Sequence, residues 1–316
     1  MIESIPSLDL SDYTSGNESQ KQKFVSQLGA AYQEIGFVSI KNHGFNTDLE
    51  TDLYNVLKKF FDLEDDVKMK YDGSDFNGQR GYTGKRKEHA AGRSMGDLKE
   101  FFHVGKHIPE SDLKDYAPNI WPSEIPEIAS ICEDAYSTLE SIGKTMLSAI
   151  ALHLDLEEDY FNRKVDRAIS ILRPIHYFPI TDTSEIKEGA VRAAEHGDIN
   201  LITILMGASA DGLQVKRADG KWIQITAIDG HLIVNVGDML ERLTNGVLKS
   251  TIHRVVNPPI DQLDKPRYSI PFFMHANPDT SLASLDSCIT ENNPKKWEDT
   301  TAGEFLLERL KAIGLK

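Results

Sequence analysis

The chain has 316 residues, 40% of them hydrophobic and 27% charged, which is enough apolar side chain to bury a substantial core. A formal net charge of −14 argues against a nucleic-acid backbone or an anionic membrane face as partner, because both select basic surfaces. Two cysteines make no disulfide framework, no stretch approaches the roughly 18 apolar residues of a spanning helix, and MIESIPSLDLSDY lacks signal-peptide regions, so a reducing cytoplasm is expected.

Residues 4–10 alternate as a short edge strand does. Phe24, Val25, Leu28, Ala31, Tyr32 and Ile35 then recur at helical spacing, with Gly36 as the residue that ends the helix. FVSI at 37–40 reads as a strand and NHG at 42–44 as a turn. A second helix is marked by Thr47 as N-cap, Glu50 completing a capping box, and Leu49, Leu53, Val56, Leu57 and Phe60 on one face. Residues 72–96 carry six glycines among polar and basic residues, the composition of a functional loop or lid. Ile125–Leu154 is a long amphipathic helix with Ile128, Ile131, Ala135, Leu139, Ile142, Met146 and Ile150 on its stripe, and Cys132 is small core filler on the same apolar side.

After that helix the period falls from 3.6 to about 2. Candidate strands are 167–178, 199–207, 212–217, 221–225, 231–236, 248–256 and 267–276, with Asp219-Gly220 as a hairpin signal. Many short strands with turn punctuation predict a jelly roll or barrel. A helical tail follows, with Phe305, Leu306, Leu310 and Ile313 apolar. The organisation expected is a helix and strand region at 1–120, a long helix at 121–165, a β core at 166–280 and a helical tail at 281–316, all in one compact unit.

Three distant residues carry chemistry. His196 and Asp198 sit two apart, so on one strand both project from the same face, and His253 follows 55 positions after Asp198. Two imidazoles and a carboxylate are the ligand set of the facial triad that binds non-haem Fe(II) with open coordination positions. Gly197 between them removes bulk. Arg267 and Ser269 lie two apart on a largely apolar strand, and a guanidinium fork beside a hydroxyl makes a carboxylate clamp. Such an arginine, if buried, needs an anionic partner, and the strand offers none. The basic loop residues Arg80, Arg86 and Arg93, with Tyr82, suit an acidic or amino-acid-like substrate, and His275 lies just beyond the clamp strand. His103 and His107 are four apart, but Val104 stands where a zinc protease has glutamate.

HGD, STIHRVVNP and RYSIPFF, together with IPSLDLSDY, GFVSIKNHGF, LKKFFDLEDDVKMKY, RGY, DLKEFFHVG, LRPIHYF, DGLQV and NVGDMLERLTNG, occur in an order that resembles the Fe(II)/2-oxoglutarate-dependent dioxygenase superfamily, in its isopenicillin N synthase-like branch. The resemblance implies a double-stranded β-helix of the jelly-roll, cupin-like kind, a mainly β core with flanking helices. It implies iron ligands at His196, Asp198 and His253, and a 2-oxoglutarate carboxylate on Arg267 and Ser269 with Tyr177. Leu205 and Phe273 would line the co-substrate pocket. Asn235 and Asn257 fall in family segments and are read as structural. The implied activity is oxidation of a small molecule by O2, through hydroxylation or desaturation, with 2-oxoglutarate becoming succinate and CO2. The alternative in the same branch is an oxidase or cyclase that uses O2 without 2-oxoglutarate. Neither the primary substrate nor the oligomeric state is encoded in these motifs.

Overall fold

A computed structural model describes residues 4–76, 78–88, 96–108, 117–167, 169–181, 191–207, 212–226 and 228–312. The first stretch contains β1 (Ser7–Asp9), α1 (Leu10–Thr14), α2 (Glu18–Glu34), β2 (Phe37–Lys41), α3 (Thr47–Phe61) and α4 (Asp65–Lys68). β3 (Gly81–Thr83), β4 (Glu100–Gly105) and the long α5 (Ile128–His153) lead into the strand-rich half. There β5 (Ile171–Leu172), β6 (Ile175–Tyr177), β7 (Ala193–His196), β8 (Ile202–Met206), β9 (Leu213–Lys216), β10 (Trp222–Gln224) and β11 (Leu232–Val236) follow. α6 (Asp238–Leu243), β12 (His253–Val255), β13 (Arg267–Met274) and α7 (Ala302–Ala312) complete the order.

The strands form two sheets. The larger has nine strands in the order β1-β2-β11-β8-β13-β5-β4-β3, with β6 joined to β13 and β4; the smaller is β10-β9-β12-β7. Together they are a jelly roll, as predicted. The larger sheet is buried on both faces, and this explains why its central strands read as nearly continuous apolar runs. Alternate residues of β8, β11 and β13 point in opposite directions. Ile202, Ile204 and Met206, with Leu232, Val234 and Val236 and with Tyr268, Ile270, Phe272 and Met274, join one core with α2, α3 and α5. On the inward face Phe37, Phe101, Ile175, Ile233, Leu213, Val215 and Val255 form a second core between the sheets. Among the remaining inward positions Thr203, Asn235, Arg267 and Ser269 are polar, and all four are buried.

The predicted helices and strands are present with shorter bounds. α2 ends where expected, with Gly36 at φ +73° donating its amide to Ala31 O, a conformation only glycine holds without strain. The start of α3 differs by one residue. Asn46, not Thr47, is the cap, because its side-chain oxygen accepts from the amides of Asp48 and Leu49 at 2.7 and 3.3 Å. The Asp219-Gly220 hairpin joins β9 to β10, with Gly220 at φ +81°. Ile313 lies outside the described residues, as do Arg93 and the segment around it.

Two changes probe the helix-side core. Phe272, fully buried and edge-on to Tyr136 at 5.0 Å, should cost about 3–5 kcal/mol in chemical denaturation when replaced by alanine. Cys132 is buried and its thiol is pushed up to about 12 by that burial, and burial also raises Cys288. Both thiols should therefore resist a disulfide-forming reagent in native buffer and react on unfolding.

Candidate metal centre and substrate cavity

A cavity of about 350 Å³ opens between the two sheets, and His196, Asp198 and His253 all line it. Their ligand atoms lie within 4.8 Å of one another, the one such grouping among the described residues. His196 ends β7 and His253 begins β12, and the two are direct partners across that antiparallel pair, with ring centroids 4.4 Å apart. Asp198 is not on the same strand as His196. It sits past the end of β7, in the turn to β8, where Asp238 N–H donates to its carbonyl at 2.7 Å. From there Asp198 Oδ1 lies 4.0 Å from His196 Nε2 and 3.7 Å from His253 Nε2.

Surrounding groups fix which atoms remain available. Nδ1 of His196 is 2.7 Å from Ala194 O, and Nδ1 of His253 is 3.2 Å from Thr251 O. A carbonyl only accepts, so each ring carries its proton on Nδ1 and leaves the Nε2 lone pair toward the other two groups. Asp198 Oδ2 accepts from Thr203 Oγ1 at 2.6 Å and from Asn235 Nδ2 at 2.8 Å, which leaves Oδ1 for a cation. Thr203 and Asn235 face each other directly across β8 and β11. Burial alone would raise the Asp198 carboxyl, but the two imidazoles and these two donors outweigh it and hold it below the ordinary carboxylate value. Two imidazoles with Nε2 directed at the other ligands and one ionised carboxylate, each oriented from behind, fit a ferrous ion. Gly197 has a different role from the one its size suggests: a Cβ there would come within 2.9 Å of Asp238 Oδ1 and 3.2 Å of Ser250 Oγ, which are themselves hydrogen-bonded at 2.6 Å.

Arg267 and Ser269 alternate on β13 and line the same cavity, with Arg267 only 1% exposed. Tyr177 is the direct partner of Arg267 across β6, and the guanidinium carbon lies 4.9 Å from its ring centroid. Leu205 and Phe273 also line the cavity, as does His275, which follows β13. The three loop residues are elsewhere. Tyr82 on β3 turns to the helix side, where its hydroxyl donates to Glu100 and its ring meets Phe60 at 5.8 Å. Arg80 is buried over Gly105 and donates to Gln79 O and Ala117 O. Arg86 is exposed, 5.7 Å from the Phe178 ring. None of the three lines the cavity. His103 and His107 form no pair: His103 is buried against Arg173 and Gly78 O, and His107 meets Glu133 at 2.9 Å.

Several cavity residues carried no sequence signal. Glu88, Asp97, Lys99 and Arg173 form a wall of alternating charge. Lys99 Nζ is 2.8 Å from Glu88 and 3.0 Å from Asp97, and Arg173 Nη1 is 3.2 Å from Glu88. Leu306, Arg309 and Leu310 come from α7. Arg192, buried beside β7, places its guanidinium 5.8 Å from the Tyr177 ring that Arg267 also approaches.

A jelly roll enclosing two histidines and an aspartate, with a buried arginine and serine in the same cavity, is the architecture of a non-haem iron oxygenase. Residues 5–124 match the family described as non-haem dioxygenase in morphine synthesis N-terminal, and residues 169–276 match the 2OG-Fe(II) oxygenase superfamily. The 2-oxoglutarate-Fe(II) type oxidoreductase hxnY of Emericella nidulans is 30% identical over 314 residues, 95% of this chain and 88% of that protein. Proline hydroxylase buaE of Petromyces alliaceus is 33% identical over 316 residues, 96% and 97% of the two chains. Among solved structures, a 2OG-Fe(II) oxygenase family protein from Caulobacter crescentus superposes with a TM-score of 0.87 at 38% identity, covering 99% of this chain and 100% of that one. A full-length Neurospora crassa protein solved in complex with alpha-KG and thymine gives 0.86 at 30%, covering 98% and 96%. The chain belongs to the Fe(II)- and 2-oxoglutarate-dependent oxygenases and is an oxidoreductase that uses iron, 2-oxoglutarate and O2.

The charged wall generates a prediction with a defined sign. Burial opposes ionisation of Glu88, but Arg173 and Lys99 more than offset it and hold the carboxyl far below its ordinary 4.5. Its stabilising contribution is fully present above the unfolded value and is lost as pH falls from there toward the folded one. Glu88→Gln should cost about 3 kcal/mol at neutral pH by leaving buried cations unpaired. The gap to the unaltered protein in denaturation experiments should narrow below the unfolded value of 4.5.

Proposed function

We propose that this chain hydroxylates a small molecule held in the cavity between the sheets, with His196, Asp198 and His253 as the iron ligands. Arg267 and Ser269 bind the carboxylate of 2-oxoglutarate remote from the metal, and Tyr177 completes that site. The observation that carries the reading is that triad and clamp line one cavity, with Asp198 held from behind by Thr203 and Asn235. Solved relatives in complex with thymine or 5-formyluracil support a small-molecule substrate. Desaturation starts from the same arrangement, and the product depends on which substrate carbon faces the metal.

When bound, ferrous iron and 2-oxoglutarate supply the O2-dependent two-electron oxidation, with succinate and CO2 as by-products. The protein does the rest by placement. Ala194 O and Thr251 O hold the imidazole rings, and Thr203 and Asn235 hold Asp198, so these three side chains would offer their free lone pairs to the ion from fixed orientations. Arg267 contributes a fixed positive charge and a fork, and Ser269 a hydroxyl donor, to orient the co-substrate. Leu205, Leu213, Phe37, Val255 and Phe273 keep water from the centre.

Succinate formation from 2-oxoglutarate, measured with Fe(II) and O2, tests the assignment. His196→Ala should lose bound iron and fall to background while keeping its unfolding midpoint. Arg267→Ala should raise the KM for 2-oxoglutarate by about 30-fold or more, since a buried charge contact is lost, with a smaller effect on kcat. Retained iron in the first variant, or an unchanged KM in the second, would remove those residues from their roles.

A further inference from the structure

The cavity has a second polar corner away from the clamp strand's arginine. Arg173 lies in the link between β5 and β6, its guanidinium resting on the rings of Phe101 and Phe273 at 4.6 and 5.1 Å. Nε donates to His103 and Nη1 to Glu88, and Nη2 makes no hydrogen bond to the described residues. His275 is 7% exposed, and its amide is fixed by Ser170 Oγ at 3.1 Å. Its Nδ1 is closed off and makes no hydrogen bond to the described residues, while the residue itself lines the cavity. A buried imidazole whose two ring nitrogens both lack partners among the described residues is rare, and it leaves a donor and an acceptor to be completed once the ring turns toward a ligand. Arg173 rests on Phe273, two residues before His275, and both Arg173 and His275 line the cavity that holds the metal ligands.

We propose that Arg173 and His275 form the substrate-recognition corner, and that it takes a neutral carbonyl oxygen, as in a carboxamide or lactam on an apolar body, in preference to a carboxylate. The proposal rests on the oxygenase reading above and narrows its substrate class. Charge decides between the two. Arg173 is paired with Glu88, and Lys99 with Glu88 and Asp97, two cations against two carboxylates. A substrate carboxylate would add a buried negative charge for which this wall has no spare cation, whereas a carbonyl uses the open donor without unbalancing it. Burial, reinforced by Arg173, takes His275 down to about 4, so at neutral pH the ring is an uncharged donor and acceptor. An amide offers both complements. Ile171, Pro271, Leu306 and Leu310 supply apolar contact for the rest of the molecule. The basic loop residues that suggested an acidic substrate, Arg80 and Arg86, do not reach this space.

The test uses isosteric pairs, cyclohexanecarboxamide against cyclohexanecarboxylate and benzamide against benzoate, titrated by calorimetry into protein loaded with Fe(II) and 2-oxoglutarate under nitrogen. The amide of each pair should bind about tenfold or more tightly than its acid. His275→Phe, which removes both ring nitrogens, and Arg173→Met should each abolish that preference by weakening the amide, while His275→Gln should retain part of it. Acids binding as well as amides, neither class binding, or a preference intact in both variants would overturn the proposal. Succinate formation from 2-oxoglutarate in the same preparation separates the two levels. Its absence defeats the oxygenase reading, and its presence with an inverted preference defeats only the corner.

Discussion

The larger sheet is covered on both sides, by helices on one face and by the smaller sheet on the other, and every polar side chain on its central strands has to be satisfied without bulk water. Thr203 and Asn235 meet that demand by sharing one oxygen of Asp198. This contact ties the inner face of the sheet to the loop that carries the carboxylate. It also commits one oxygen and frees the other, so ligand orientation follows from burial rather than from a separate device. On the same inner face Arg267 lies directly across from Tyr177 on β6, with Ser269 two residues on.

The smaller sheet supplies the complementary half. Pairing β7 with β12 puts His196 directly opposite His253, and the register shifts between His253 and Val255. Each ring is then held by a carbonyl two residues earlier in its own chain segment. Local backbone geometry therefore sets the tautomers, and the pairing of two short strands sets the separation of the ligands. The charged wall of Glu88, Asp97, Lys99 and Arg173 is a different solution to burial, in which side chains on the approach to β4 and on the β5–β6 link neutralise one another.

Much of this was legible in the sequence because it is encoded by period and spacing. The change from a helical to a two-residue repeat located the β core, and polar pairs two apart at 196 and 198 and at 267 and 269, with His253, marked the site. What stayed hidden depends on contacts between distant segments. Arg173 looks like any arginine beside a proline until Phe101, Phe273, Glu88 and His103 surround it. Tyr82 shows the opposite error. Its basic, glycine-rich neighbourhood suggested a substrate contact, but the pairing of β3 with β4 sends the ring into the helix-side core. Gly197 was read for the room it leaves a metal, although Asp238 fills that room. The cap of α3 moved by one residue because asparagine and threonine at adjacent positions are both good caps, and only geometry decides between them.

Asp238 connects two parts of the molecule that lie far apart in the chain. Its amide holds the Asp198 carbonyl, its carboxylate accepts from Ser250 and meets Arg309 at 3.1 Å, and Arg309 belongs to the helix whose Leu306 and Leu310 wall the cavity. The tail helix and the loop that carries Asp198 are thus fastened to one residue. Anyone grafting a fusion partner onto α7, or redesigning it to accept a bulkier molecule, would be adjusting the ligand loop with the same stroke.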